Sequence, residues 1–210
     1  MFSAIEFRGF KQSHVEELAE YSGIPVINGL TDEFHPTQAL ADIMTLKETF
    51  GTLKGLHWAF CGDGRNNVAR SMMLISAKMG IDFSIYSPKE LYPDSEIIKI
   101  CEPFAKNSGA KIQISDKIDI VKGADALYTD VWVSMGEENL KDQRIKLLEP
   151  FQVNSALMKS TGKDTVFLHC LPAVKGQEVT EEVFESKSSK VWDQAENRKH
   201  TIKAIMLGII

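Results

Sequence analysis

From residue 56 onward, short apolar runs alternate with segments whose apolar residues recur every three or four positions. A short apolar run bounded by turn formers reads as a buried strand, and the three-to-four spacing reads as the inward face of a helix. Strands are expected at 56–61, 83–86, 111–114, 126–131 and 166–170, with a short one at 190–192. Helices are expected at 66–79, where Val68, Met72, Ile75 and Met79 share a side, and at 94–107, capped by Asp94 or Ser95. A short helix fits 118–121, residues 132–161 read as helical or irregular, and a last helix starts at about 194. Upstream, Ile5-Glu6-Phe7-Arg8 alternates like a strand, and 15–21 reads as a helix closed by Gly23 and Pro25. An apolar run at 24–27 precedes a polar turn at 28–33, and Pro36 opens a helix carrying Leu40, Ile43, Met44 and Phe50 up to Gly51. Strands separated by helices imply an α/β fold with a doubly wound parallel sheet, whose ligands bind at the carboxyl ends of the strands.

The polar residues follow that rule. Gly62-Asp-Gly-Arg-Asn-Asn67, Asp130 with Ser134-Met135-Gly136, and His169-Cys170-Leu171-Pro172 all stand at expected strand ends. The pair Gly62-x-Gly64 suggests a dinucleotide fingerprint, but Asn67 replaces its third glycine and Tyr86-Ser87-Pro88 supplies no ribose-binding acid. One of Asn66 and Asn67 is expected to cap the following helix, leaving the other amide for a ligand. A lone cysteine at a strand end is commonly a small buried hydrophobe, and His169, its neighbour, would face the opposite side of the sheet. Covalent catalysis is therefore disfavoured, whereas a polar contact from the Cys170 sulfur to a ligand is not. His35 and Gln38 reach one volume at a helix start that favours anions, although His35 also suits a cap or a buried hydrogen-bonding role. Asp130 also reads as a structural carboxylate, and Arg8 as a solvated residue. Arg198, placed in the first turn of the last helix, opposes the helix dipole and calls for a reason such as a bound anion.

Composition narrows the class. The 210 residues suffice for one large domain, or one domain and a fragment of another, and 43% apolar with 25% charged residues excludes disorder. A net charge of −5 with scattered Lys and Arg argues against nucleic acid as a partner. No apolar run approaches the ~18 residues of a membrane span, and the amino terminus lacks a secretory pattern. Cys61, Cys101 and Cys170, without a CxxC, exclude a disulfide scaffold and a cysteine zinc site and favour a reducing compartment. The expectation is a soluble cytoplasmic protein, with no metal or organic cofactor suggested by ligand spacing.

In their order along the chain, Phe7-Arg8-Gly9, Asn28-Gly-Leu-Thr-Asp-Glu-Phe34, His35-Pro-Thr-Gln38, Asp130-x-x-x-Ser-Met-Gly136, His169-Cys-Leu-Pro172 and Glu196-Asn-Arg198 resemble the ornithine carbamoyltransferases, within the aspartate/ornithine carbamoyltransferase family. Ser-Met-Gly after the aspartate is the feature associated with ornithine. The resemblance implies two α/β domains with carbamoyl phosphate bound between them, and a homotrimer. It implies that Arg8, His35, Gln38 and Arg198 contact carbamoyl phosphate, with Arg8 and His35 polarising the carbamoyl oxygen, and that Cys170 and the Leu171 carbonyl lie at the reacting centre. It further implies that Asn67, Asp130, Ser134 and Met135 hold ornithine, with Cys170 and Asp130 orienting its δ-amine. The reaction would yield citrulline and phosphate, as in arginine metabolism. Fixed donors aimed at a developing oxyanion supply much of the rate of such a transfer, and no cofactor is needed.

The chain departs from this family chiefly in that its 210 residues contain no Ser-Thr-Arg phosphate loop. Residues 1–33 are expected to be the tail of the carbamoyl-phosphate domain, 34–192 the ornithine-binding α/β domain (Rossmann-like), and 193–210 the linking helix. The stretch 173–180 is short, so the mobile loop of some members is reduced. Little transfer activity is expected of this chain alone. Apolar surface is expected on the 36–50 helix and on the last helix (Ile202, Ile205, Met206, Ile209, Ile210). Two alternatives stay open: a non-catalytic ornithine-binding or regulatory half pairing with another chain, and an unrelated nucleotide-binding domain.

Overall fold

In the computed structural model, residues 2–133 and 138–209 are described. The chain begins with a small β-α-β unit. Strand β1 (Ile5–Arg8), helix α1 (Gln12–Tyr21) and strand β2 (Val26–Leu30) form a two-stranded parallel sheet of their own. The expected polar turn from residue 28 is corrected here: β2 continues to Leu30, because Phe7 pairs with Asn28 and Arg8 with Leu30. Helix α2 (Pro36–Phe50) has proline in its first turn and ends at Gly51, whose φ of 75° is the left-handed conformation glycine takes freely.

The main body is a parallel five-stranded sheet. It runs through β3 (His57–Cys61), α3 (Asn67–Met79), β4 (Asp82–Tyr86), α4 (Ser95–Ser108), β5 (Ile112–Ser115), β6 (Ala126–Thr129), α5 (Lys141–Leu148), α6 (Ser155–Ser160), β7 (Val166–His169), α7 (Glu181–Phe184) and α8 (Val191–Ile209). The strand order β5-β4-β3-β6-β7 reverses direction between β3 and β6, which is the switch point where such sheets bind ligands. This is the doubly wound α/β class that the alternation predicts. Side chains alternate across the sheet, and both faces are buried. Trp58, Phe60, Phe83, Ile85, Tyr128 and Leu168 pack with α3 residues such as Met72 and Met73. Ala59, Cys61, Leu127 and Phe167 pack with Val153, Val183, Phe184 and Val191 on the other face.

Two expectations fail locally. Residues 190–192 are not a strand: Lys190 N–H donates to Phe167 C=O at 2.8 Å, and Gln194 N–H then donates to Lys190 C=O at 2.9 Å, so the chain turns into α8 at Val191. The apolar pair there splits, with Val191 fully buried and Trp192 63% exposed. The expected apolar surface also proves one-sided. The large exposed hydrophobics on these two helices are Trp192, Met206, Leu207 and Ile209, all of α8, with Ile202 and Ile205 half-buried; α2 contributes none because it packs on α8 and α3. Ile210 lies outside the described residues.

Candidate active site at the sheet switch point

The tip of β3 is shaped for close approach. A Cβ on Gly64 would stand 2.9 Å from Ile85 Cγ2 and from the Leu91 carbonyl, so only glycine lets the turn pass. Beyond it Asn66 caps α3, its Oδ1 accepting from the N–H groups of Val68 at 2.8 Å and Ala69 at 2.9 Å. Its Nδ2 donates to Asp130 Oδ2 at 2.6 Å. Of the two asparagines, Asn66 is therefore the cap, whereas Asn67 Nδ2 donates to the Thr31 carbonyl at 2.7 Å and ties the turn to the segment after β2.

β6 and β7 each stop one residue before their functional side chain. Asp130 Oδ1 accepts from its neighbour Val131 N–H at 2.8 Å and from the Cys170 thiol at 3.0 Å. Burial, then the Asp130 carboxylate, hold the Cys170 thiol well above its ordinary pKa, so the sulfur is a neutral donor rather than a nucleophile. Leu171, at φ 58°, is a left-handed non-glycine residue; its N–H donates to His169 Nδ1 at 2.9 Å. Such a conformation costs ~1–3 kcal/mol and clusters at functional sites. His169 is fully buried, and its Nε2 meets Glu178 Oε1 at 3.3 Å, away from the thiol's partner. Asp130, His169 and Cys170 bring one potential ligand atom each within 4.8 Å, yet those atoms are already committed to Asn66, Val131, Leu171, Glu178 and one another.

Opposite this acidic, thiol-bearing cluster lies a cationic one. Arg198, in the second turn of α8 because that helix starts at Val191, donates through Nη1 to Gln38 Oε1 at 2.6 Å and to His35 Nε2 at 3.2 Å. Its Nη2 donates to Thr37 Oγ1 at 3.3 Å. The first-turn placement is corrected accordingly, and the arginine crosses to the start of α2. His35 precedes α2 and is buried. Burial, then the positive charges of Arg198 and Arg8, push its pKa down to about 3, so the imidazole is neutral and Nε2 accepts. It makes no side-chain cap. Arg8 stands exposed at the end of β1, with its charge felt by both His35 and Arg198. Among the described residues, no carboxylate forms an ion pair with Arg8 or Arg198. Two neighbouring guanidiniums, with the buried Asp42 carboxyl as the acid acting on Arg198 and no ion pair at either among the described residues, create a positive potential suited to an anion.

Buried polar residues that the sequence reading passed over join the clusters. Asp42 Oδ1 accepts from Gln38 Nε2 at 2.8 Å and Gln194 Nε2 at 2.6 Å, with the Tyr128 hydroxyl at 3.5 Å. Gln194 Nε2 also donates to the Tyr128 oxygen at 3.0 Å, and Gln194 Oε1 accepts from His169 N–H at 2.9 Å. Nothing local marks Asp42, which follows Gln38 by one helical turn as a solvated acid would. The structure thus gathers Arg8, His35, Gln38 and Arg198 on one side and Asp130, Cys170 and Leu171 on the other, with Asn67 at the adjoining turn. Ser134 and Met135 lie outside the described residues. An open recess of about 500 Å³ between α2 and α8, lined by Glu48, Asp193 and Glu196, includes none of these site residues.

The chain belongs to the aspartate/ornithine carbamoyltransferase family: the family's Asp/Orn binding domain matches residues 54–209, and its carbamoyl-P binding domain matches residues 1–48. Within that family it is 58% identical over 212 residues to an ornithine carbamoyltransferase of Pseudothermotoga lettingae, covering 100% of this chain and 68% of that one. It is 55% identical over 229 residues to a catabolic ornithine carbamoyltransferase of Streptococcus ratti, again covering 100% and 68%. The solved ornithine carbamoyltransferase from Pyrococcus furiosus superposes with a TM-score of 0.93 at 47% identity, over 99% of this chain and 66% of that one. The chain thus spans about two thirds of the length of these relatives. No helix of the described residues is long and apolar enough to cross a membrane.

Proposed function

We propose that this chain carries the ornithine side of a carbamoyl transfer, in which the δ-amine of ornithine takes the carbamoyl group of carbamoyl phosphate to give citrulline and phosphate. The observation that carries this reading is the pairing of an Arg8–Arg198 cluster, free of ion pairs among the described residues, with an Asn66–Asp130–Cys170 cluster at one switch point. The cationic side suits the phosphorylated substrate, with Arg8 and His35 toward the carbamoyl oxygen, Gln38 toward its amide and Arg198 in support. The other side suits the amino acid: Asp130 and Cys170 orient the amine, Leu171 offers its carbonyl, and Asn67 with Ser134 and Met135 binds the remainder of ornithine. The neutral amine attacks the carbamoyl carbon, negative charge builds on the carbonyl oxygen, the carbon–oxygen bond to phosphate breaks, and the departing phosphate takes the amine proton. Holding both substrates together contributes several kcal/mol, about 7 or more in well-aligned cases.

In this reading 1–33 is the tail of the carbamoyl-phosphate domain, 34–192 the ornithine domain and 193–210 the linking helix; the family matches put the first boundary later, with the carbamoyl-P domain reaching residue 48 and the Asp/Orn domain opening at 54, and the last division falls inside α8. A trimer in the cytoplasm, working in arginine metabolism without a cofactor, completes the proposal. The test is citrulline formation by the 210-residue polypeptide with and without a separately expressed amino-terminal domain bearing the Ser-Thr-Arg loop. Little product alone and restored product on mixing is the expected result. Normal turnover by the polypeptide alone would overturn the dependence on that loop. Ornithine binding without restored turnover would favour the second reading, a binding or regulatory half, which the absence of Ser-Thr-Arg from these residues motivates.

A further inference from the structure

Between the two clusters lies a carboxyl that neither substrate would reach. Asp42 is fully buried on α2, and its Oδ2 has no hydrogen-bond partner, whereas its Oδ1 meets Gln38, Gln194 and Tyr128. Each of those partners leads to a site residue. Gln38 spends its amide N–H on Asp42, which turns its Oε1 toward Arg198. Gln194 passes the contact to the His169 backbone, one residue before the thiol. The Tyr128 hydroxyl receives Gln194 on its oxygen and faces Asp42 at 3.5 Å, and it eases ionisation of the Cys170 thiol, whose own proton goes to Asp130. The charged and titratable groups facing Asp42 are Arg198 from α8 and Tyr128 from β6, and Cys170 and Asp130 lie beyond the tyrosine.

We propose that Asp42 is a positioning residue for the transfer: one buried carboxyl sets the orientation of the Gln38 amide on the anion side and, through Gln194 on the His169 backbone and through the Tyr128 hydroxyl, the placement and surroundings of the Cys170 thiol on the amine side. The proposal rests on the carbamoyl-transfer reading for its consequence, but its geometry stands without it. A negative carboxyl here opposes ionisation of the thiol, and the tyrosine proton favours it. The two members of the network therefore act on Cys170 with opposite sign, which loosened packing cannot imitate.

The test follows alkylation of Cys170 by iodoacetamide, read by peptide mass between pH 7.5 and 9 on the 210-residue chain. Asp42→Asn keeps the shape and one acceptor while removing the charge, and is expected to speed alkylation ~3-fold or more; Tyr128→Phe removes the donor and is expected to slow it by a similar factor. Cys61 and Cys101, both buried, serve as the control, because their labelling reports an opened fold. Parallel titrations with carbamoyl phosphate and L-ornithine read the substrate side. A wild-type chain that binds neither counts against the proposed function, yet leaves the thiol readout intact. Equal rates in both variants, or acceleration in both with Cys61 and Cys101 protected, overturn the proposal. Should Asp42→Asn not fold, Tyr128→Phe decides alone: unchanged or faster labelling sinks the idea.

Discussion

The two halves of the site are built to different specifications. On the sheet side Asp130 accepts hydrogen bonds from Asn66, Val131 and Cys170, so that cluster is internally satisfied. On the helix side Arg8 and Arg198 repel one another, and His35 between them is kept neutral. A satisfied cluster sits on a rigid, doubly buried sheet, which favours geometric selection of an amino acid. A frustrated cationic cluster draws on β1, α2 and α8, and gains most when an anion arrives. Selection and attraction are thus assigned to different elements.

The largest test concerns the floor beneath the sheet side. Phe60, 1% exposed, stacks on Tyr128 with ring centroids 6.0 Å apart. Phe60→Ala should cost ~3–5 kcal/mol in urea unfolding. Phe10→Ala in the small β-α-β unit, at a residue 62% exposed, should stay within ~0.5 kcal/mol. Comparable losses would mean that the two regions do not differ in rigidity.

Next in size is Asp130→Ala, which strands the Asn66 amide and the thiol. A loss of ~1–3 kcal/mol is expected by the same unfolding measurement. A neutral result would show that the sheet-side cluster is not stabilising in the absence of ligand.

The pH dependence of stability separates, by sign, the imidazole of the cationic half from the buried carboxyl that links the two halves. Folded His35 refuses a proton down to about pH 3, against an ordinary value of 6.5, so the unfolded chain gains protons first and stability falls as pH drops through that window. Asp42 runs the other way. Burial raises it from 3.8 to about 7, so its contribution is fully present below about pH 4 and is lost as pH rises toward 7. In melting curves, His35→Gln should gain on wild type as pH falls from 6.5, and Asp42→Asn should gain as pH rises from 4. Parallel profiles for both variants would erase the distinction.

The smallest effect is expected from Arg8→Gln, within ~0.5 kcal/mol at neutral pH for an exposed side chain. Its signature is electrostatic: removing that charge should raise the midpoint of His35, followed by NMR of the ring protons.

Much of this arrangement was readable in the residues. The Pro36 start and Gly51 stop of α2, the strand–helix alternation, and the concentration of polar groups at strand tips all follow from local chemistry. Three features were not. Asn28-Gly29 has turn-forming composition, yet backbone pairing with β1 draws it into a strand. Adjacent Asn66 and Asn67 are equally able to cap a helix, and only the position of Asp130 and Thr31 distinguishes them. Asp42 follows Gln38 by one turn, like any solvated acid on a helix face. Its partner Gln194 arrives from 152 residues away. No local window holds that information.

That last contact orders the life of the molecule in time. Gln38 waits for Arg198 across 160 residues, Asp42 for Gln194 across 152, and Thr45 for Asn197 across 152. During synthesis the sheet can wind as it emerges, but the anion side stays unassembled until residues beyond 198 have left the ribosome. Such distant closures are the slow ones in folding. A nascent chain halted at residue 190 would carry the amine-facing cluster while its cationic counterpart still lacked Arg198.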